Sequence, residues 1–357
     1  ADCNCFCPFS SASSYLFRIY KMQLIYNKIF LEHKTEGHPE RPERLLAFGD
    51  LRQSDILTNI RDLRSQVRGG IENGEKYLKL VYDADYIEKI REASKKEIRL
   101  DADTYTNDNS YDVACYAVGA AIKAAKENNF ALCRPPGHHA TSNKAMGFCL
   151  FNNIAIACKW LTERGKKVLI LDFDGHHGNG SQDIFYKTDK VIYLSIHQFP
   201  AYPGTGWVNE IGEGKGKYFT INAPVPPYAS DDIFIETLSK IISVIKEQYK
   251  PDVVAVSAGF DGHKDDPLLQ LNLTVNSYYE VGKLLSSNFK NIFACLEGGY
   301  NIEVLPHCVS AFLMGVNREK SKLEFKEQKT TSAANVQREF EARMKSLRLN
   351  LDGFWEF

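Results

Sequence analysis

At 357 residues with 44% apolar side chains, the chain can bury a large core as one α/β domain or two smaller ones. Its 44 basic and 45 acidic side chains leave a formal net charge of -1, which excludes the charge footprint of a direct nucleic-acid binder. No apolar run reaches the roughly 20 residues that a bilayer span needs, so the chain reads as soluble, with no membrane partner.

Residues 1–21 read as a leader, disordered or non-native, because Met22 can serve as an initiator. Cys3, Cys5 and Cys7 in that leader are otherwise a metal-binding tail, and the segment lacks the basic start of a secretory signal. Short runs rich in Val, Ile and Leu predict strands at Leu24–Tyr26, Phe130–Cys133, Val168–Phe173, Val191–Ile196, Tyr218–Ile221, Val253–Ser257 and Ile292–Leu296. Between them, helical periodicity predicts helices at Glu40–Leu51, Asp83–Ser94, Tyr111–Lys126, Phe151–Arg164, Asp231–Gln248 and Val275–Ser287. Alternation of continuously apolar strands with helices predicts a doubly wound, mostly parallel α/β sheet. Beyond Arg318 the chain is charged, with an apolar stripe at Val336, Phe340, Met344 and Leu347 that suits docking on the domain surface or a dimer contact. Cys115, Cys133, Cys149, Cys158, Cys295 and Cys308 lie in apolar runs, where a free thiol acts as a small hydrophobe, and this fits a reducing, cytoplasmic setting.

Ligand sites in such folds gather at the carboxyl ends of the strands, and the unusual residues fall there. Arg134–His139 follows one predicted strand, Asp172–His177 ends another, Ser195-Ile196-His197 a third, Gly259-Phe260-Asp261 a fourth and Glu297–Tyr300 the last. Side chains two apart on a strand point the same way, so Asp174 and His176 can serve one ion, with Asp261 adding a carboxylate from a separate strand end. One imidazole and two carboxylates fit a catalytic Zn²⁺ with open positions, although Fe²⁺, Mn²⁺ or Co²⁺ would be accepted too. The competing reading of each aspartate alone is a helix cap. His138 and His139 sit in a Pro-Pro-Gly turn that can aim both rings into one pocket, one as proton acceptor and one as a charged neighbour. Asp172 and Asn179 are the candidate partners for their second ring nitrogens. Tyr300, after two glycines, can donate to a forming oxyanion.

Together these segments resemble the histone deacetylase superfamily, which includes bacterial and archaeal deacetylases and acetylpolyamine amidohydrolases. The resemblance runs from about Met22 to Val316, through Gly37–Arg44, Arg134–Ala140, Gly147-Phe148-Cys149, Phe151-Asn152-Asn153, Asp172–Gly180, Tyr202–Gly206, Ser257–Asp261 and Glu297–Tyr300. It implies an arginase-like fold, a deacetylase domain at 22–317 and a C-terminal extension at 318–357. It implies Asp174, His176 and Asp261 as zinc ligands, His139 as general base, His138 as its electrostatic partner and Tyr300 as transition-state donor. A structural K⁺ site is implied at Asp172 and Ser195, completed by carbonyls of Asp172, Asp174, His176 and Ile196. Phe148 and Tyr202 are implied as tunnel walls, Gly147 as the carbonyl that receives the substrate amide, and Asp103 as a rim carboxylate.

Three positions differ within the superfamily. Asn179 stands where class I members carry Asp, as class II members also do, which makes His139 less basic. Tyr300 is present where some class II enzymes have His. Leu268 replaces the glutamate of a polyamine-specific member, which favours acetyl-lysine over acetylpolyamine as substrate. The loop at Gln198–Tyr202 is short, which predicts an open pocket mouth. A silent acetyl-lysine binder and a binuclear ureohydrolase are the other readings; the latter lacks its Asp-x-Asp arrangement at Asp261. Monomer and homodimer both remain open.

Overall fold

A computed structural model describes residues 21–50, 70–319 and 327–356. Cys3, Cys5 and Cys7 lie outside the described residues, as does Leu51. Among the described residues seven strands form one sheet: β1 (Leu24–Ile25), β2 (Phe130–Ala131), β3 (Val168–Asp172), β4 (Val191–Gln198), β5 (Thr220–Val225), β6 (Val253–Ala258) and β7 (Ile292–Leu296). Their order is β1-β2-β7-β6-β3-β4-β5, and every pairing is parallel. Every residue in these strands is buried, as helices covering both faces of a parallel sheet require.

The covering helices are α1 (Glu43–Asp50), α2 (Ala84–Lys95), α3 (Ser110–Glu127), α4 (Asn153–Thr162), α5 (Asn179–Phe185), α6 (Asp231–Gln248), α7 (Val275–Asn288), α8 (Leu305–Val316) and α9 (Ala334–Leu351). Local chemistry sets the differences from the sequence pattern. The first helix begins at Glu43 rather than Glu40, just after Pro42, whose ring suits a helix start and not an interior. The expected helix at Phe151 begins at Asn153 because the Asn152 side chain accepts the Ala155 N–H at 3.0 Å as a cap. The strand expected at Tyr218–Ile221 is shifted to Thr220–Val225: Tyr218 takes φ 75°, outside the extended region, while Pro224 is tolerated because β5 is an edge. Two helices were not expected from the sequence. Helix α5 is seven residues long with Gly180 inside it, and α8 is apolar almost all round because it is almost wholly buried.

Because all strands run the same way, the carboxyl ends of β2, β3, β4, β6 and β7 open on one edge of the sheet. Behind that edge lies a fully buried ion cluster. Arg134 binds the Glu40 carboxylate, and Arg44 reaches the same carboxylate at 3.2 Å. Arg44 also donates to the carbonyls of Glu297 and Gly299, both at 2.6 Å, so it holds the loop that leaves β7. The six described cysteines are free and buried. Among the described residues no helix is long and apolar enough to cross a membrane.

Candidate metal centre

Where β3 and β6 end, Asp174, His176 and Asp261 bring one donor atom each within 4.8 Å of one another. His176 Nδ1 lies 2.7 Å from Asp261 Oδ2 and 3.3 Å from Asp174 Oδ1. Backbone N–H groups fix the carboxylates: Gly298 and His176 donate to Asp174 at 2.7 and 2.9 Å, and Gly175 to Asp261 at 2.7 Å. Glycines crowd against these oxygens. A Cβ on Gly298 would stand 2.4 Å from Asp261 Oδ2 and 2.6 Å from Asp174 Oδ2, and one on Gly259 would stand 1.9 Å from Asp174 Oδ2.

The electrostatics of this group are those of a cation site. Burial and the charge of Asp174 push the Asp261 carboxyl up. Burial opposes charge on His176, yet the Asp261 and Asp174 carboxylates raise it to about 10. Two buried carboxylates this close need positive charge between them. One nitrogen and several oxygens of this kind, backed by N–H donors, match the borderline-to-hard donor set of Zn²⁺, Fe²⁺, Mn²⁺ or Co²⁺. The residues therefore fit a divalent ion.

Two histidines stand beside that group, their rings 4.0 Å apart. His138 Nδ1 meets Asp172 Oδ2 at 3.2 Å, and His139 Nδ1 donates to Asn179 Oδ1 at 2.8 Å. Burial opposes a proton on His138, but Asp174 and Asp172 raise it to about 10. On His139 burial, then the charges on His138 and His176, drive the pKa well below the usual range. The surroundings thus push the two rings in opposite directions.

Around these rings lie the other residues singled out in the sequence. Tyr202 packs edge-on to His139 at 5.1 Å, and Phe148 edge-on to Tyr300 at 5.8 Å. Gly147 has φ 55°, and a Cβ there would meet His139 at 2.6 Å and Tyr202 at 3.0 Å, so its backbone lies against both rings. Tyr202 is 43% exposed, which fits an open mouth. Asp103 is exposed on a turn, and its charge with that of Asp101 adds to the burial that pushes the Tyr202 phenol up. Leu268 is at the surface on the loop whose Asp266 accepts the Tyr300 N–H at 2.6 Å. The Tyr300 phenol is held well above its usual pKa, by burial first, and so stays protonated.

On the sheet side, Asp172 and Ser195 are opposed across β3 and β4, and Ile196 follows on β4. The Asp172 carboxylate takes the Tyr193 hydroxyl at 3.1 Å and the Asp174 N–H at 3.2 Å, while Ser195 Oγ pairs with His197 Nδ1 at 2.8 Å. No hydrogen bond among the described residues reaches the carbonyls of Asp174 or His176. A second acidic group, His263, Asp265 and Glu327, is neutralised from within. The Lys264 ammonium lies 2.6 Å from Asp265 and 3.1 Å from Glu327, and Glu327 accepts the Val275 N–H that opens α7.

Sequence reasoning left Glu297, Asp266, Gly259 and Gly298 without individual roles. The Glu297 carboxylate accepts the N–H groups of Gly137 and His138 at 2.7 and 3.1 Å and so fixes the histidine turn. A Glu closing an apolar run directly before a Gly-Gly pair was the available signal.

Residues 38–316 match the family model described as "Histone deacetylase domain". The chain is 38% identical over 301 residues to a "Probable deacetylase" of Archaeoglobus fulgidus, covering 80% of this chain and 83% of that protein. It is 33% identical over 341 residues to "Histone deacetylase 14, chloroplastic" of Arabidopsis thaliana, covering 85% and 80%. Its fold matches the crystal structure of the HDA15 HD domain with a TM-score of 0.80 and 28% identity, over 94% of this chain and 95% of that one. With most of its length inside the family model and these relatives covered over most of theirs, the chain belongs to the histone deacetylase family.

Proposed function

We propose that the protein is a metal-dependent deacetylase that hydrolyses the acetyl-amide of acetyl-lysine, in a protein or a small molecule. The observation that carries this reading is the convergence of Asp174, His176 and Asp261 beside the His138–His139 pair, with His139 Nδ1 on Asn179 at 2.8 Å. A Zn²⁺ ion held by the three ligands, or Fe²⁺, Mn²⁺ or Co²⁺ in its place, supplies Lewis acidity that polarises the acetyl carbonyl and makes water easier to deprotonate.

The chain's own residues do the rest. Asn179 keeps the proton of His139 on Nδ1, which leaves Nε2 bare to take a proton from water as its oxygen attacks the carbonyl carbon. Tyr300 donates to the carbonyl oxygen as that oxygen gains charge. His138 keeps positive charge next to His139 and holds it neutral until it acts. As the C–N bond breaks, His139 returns the proton to the departing amine, leaving acetate. Phe148 and Tyr202 enclose the aliphatic stem, the Gly147 carbonyl accepts the substrate amide N–H, and Asp103 grips substrate backbone at the rim. Asp172, Ser195 and nearby carbonyls would hold a K⁺ ion, whose charge would steady the β3 and β4 ends.

Leu268 offers a cationic polyamine no counter-charge, which supports acetyl-lysine as the substrate. The test is kcat/KM for acetyl-lysine peptides against acetylated putrescine and spermidine, with the metal-reconstituted protein and a chelator control. Preference for the peptides, lost with the chelator, is expected. Faster turnover of the polyamines would move the assignment to an acetylpolyamine amidohydrolase, and chelator-insensitive acetate release would refute the metal mechanism.

A further inference from the structure

Tyr202 rests on His139, but the loop that carries it is gripped from outside the family-matched region, which ends at residue 316. That grip comes from α9. Its Val336, Leu347 and Leu351 are buried, and beyond the helix Trp355 Nε1 donates to the Tyr218 carbonyl at 2.7 Å, so the helix is docked along its length. From its middle, Arg343, only 8% exposed, donates to the Phe199 carbonyl at 2.8 Å. Glu339 on the same helix binds the other arm of the guanidinium. The guanidinium lies 5.4 Å from the Trp207 ring centroid, and Trp207 packs on Phe199 at 4.8 Å. Phe199 and Trp207 are the two feet of the loop that holds Tyr202. At the far foot, Gly206 and Trp207 donate to Glu210 at 2.8 and 2.9 Å, and the Gly206 carbonyl meets His197 Nε2 at 3.0 Å. At the near foot, Arg343 is the charged partner of the carbonyl.

We propose that Arg343 is a positioning residue: from the C-terminal helix it sets the loop so that Tyr202 stands against His139 and closes one side of the substrate channel. The inference rests on the site reading above. Tyr202 meets the substrate stem and not the reacting bond, so loosening it weakens binding more than chemistry. In the full-length, metal-reconstituted protein, Arg343→Met keeps the apolar stem over Trp207 while removing the donor. It should raise KM for an acetyl-lysine peptide about 5- to 10-fold, less than the full worth of a charge-assisted hydrogen bond because the effect reaches the substrate only through the loop, with kcat within about twofold. Arg343→Lys, which retains a donor, should recover most of the loss. In a Tyr202→Ala background Arg343→Met should add nothing, because its effect passes through that ring. Amide exchange of residues 199–207 should rise in Arg343→Met, a readout that needs no turnover. Unchanged KM with unchanged exchange overturns the proposal. So does a KM loss that persists in full without Tyr202, or an equal fall in kcat and in melting temperature that signals general destabilisation. If the unaltered protein turns over no acetyl-amide, the functional reading fails, and the exchange result alone decides the role of Arg343 in the loop.

Discussion

Replacing Asn179 by Asp tests the division of labour between the two histidines. Asn179 Oδ1 accepts the His139 Nδ1 proton at 2.8 Å, and it does so without charge. A carboxylate in its place keeps the hydrogen bond and adds a negative charge about 4 Å from the centre of the imidazolium. At an effective dielectric near 20 that attraction is worth about 4 kcal/mol, or roughly three pK units; partial solvation of the site reduces it to about 1–3 units. The sign is fixed: a carboxylate favours the protonated ring, so the pKa of His139 rises, and a protonated ring is no longer a base. The acid limb of kcat/KM against pH should therefore move upward by about 1–3 pH units in Asn179→Asp, while rates above it match or exceed those of the parent because the base is stronger. The assay is kcat/KM for an acetyl-lysine peptide across pH 5.5–10, with metal content verified for both proteins. An acid limb that stays in place, with equal metal content, would show that His139 is not the titrating base.

Other perturbations separate the remaining parts. Tyr300→Phe should lower kcat by about two to three orders of magnitude, the usual cost of one oxyanion donor; near-normal turnover removes the phenol from the reaction. Gly298→Ala forces a Cβ to within 2.4 Å of Asp261 and 2.6 Å of Asp174, so the carboxylates must part. Metal affinity, measured by competition with a chromophoric chelator, should fall about 10- to 100-fold, and an unchanged value would mean that the carboxylates are not ligands. Acid stability should report the cluster under the site. Burial holds His33 at about 4, while on Glu40 Arg134 and Arg44 overcome burial and hold it at about 2. Both folded values lie below the unfolded ones, so stability is present at neutral pH, lost from pH 6.5 to 4 through His33 and from pH 4.5 to 2 through Glu40. Each step is worth about 3 kcal/mol, and the steps overlap because the two groups touch. Urea midpoints at pH 7 and pH 5 should therefore differ less in His33→Asn than in the parent, and an equal drop would acquit His33.

The strand ends were legible because the sequence marks them twice. Continuous apolar runs locate β3, β4, β6 and β7, and each run stops at residues too costly to bury without partners: Asp174, His176, His197, Asp261 and Glu297. Asn179 and Asp172 could be paired with the two histidines on chemistry alone, and the structure puts both within hydrogen-bond distance. The elements that were not legible owe their form to tertiary burial. Helix α8 is apolar almost throughout, so it reads as a buried run of either kind, and β5 hides behind a proline that only an edge position tolerates. Arg343 was invisible for a different reason. An arginine on a charged helix reads as a solvated surface residue until the fold brings the Phe199 carbonyl to it.

The loop after β7 explains why so many separate segments must be present together. Its four residues each answer to a different element: the Glu297 carboxylate takes N–H groups of the histidine turn, and the Gly298 N–H goes to Asp174. The Gly299 carbonyl receives Arg44 from α1, and the Tyr300 N–H goes to Asp266. Four consecutive residues thus tie the histidine pair, the ligand group and the phenol to one strand end. A shift in any of them is passed to the others through short hydrogen bonds in a buried site, where an unpaired group costs about 1–3 kcal/mol. Substitutions at Glu297 and Arg44 should therefore couple strongly to each other, whereas either should add independently to Arg343, which acts through the separate loop of Phe199 and Trp207. A double-mutant cycle on kcat/KM with Glu297→Gln, Arg44→Lys and Arg343→Met distinguishes the two, and independence between Glu297 and Arg44 would break the argument for a shared loop.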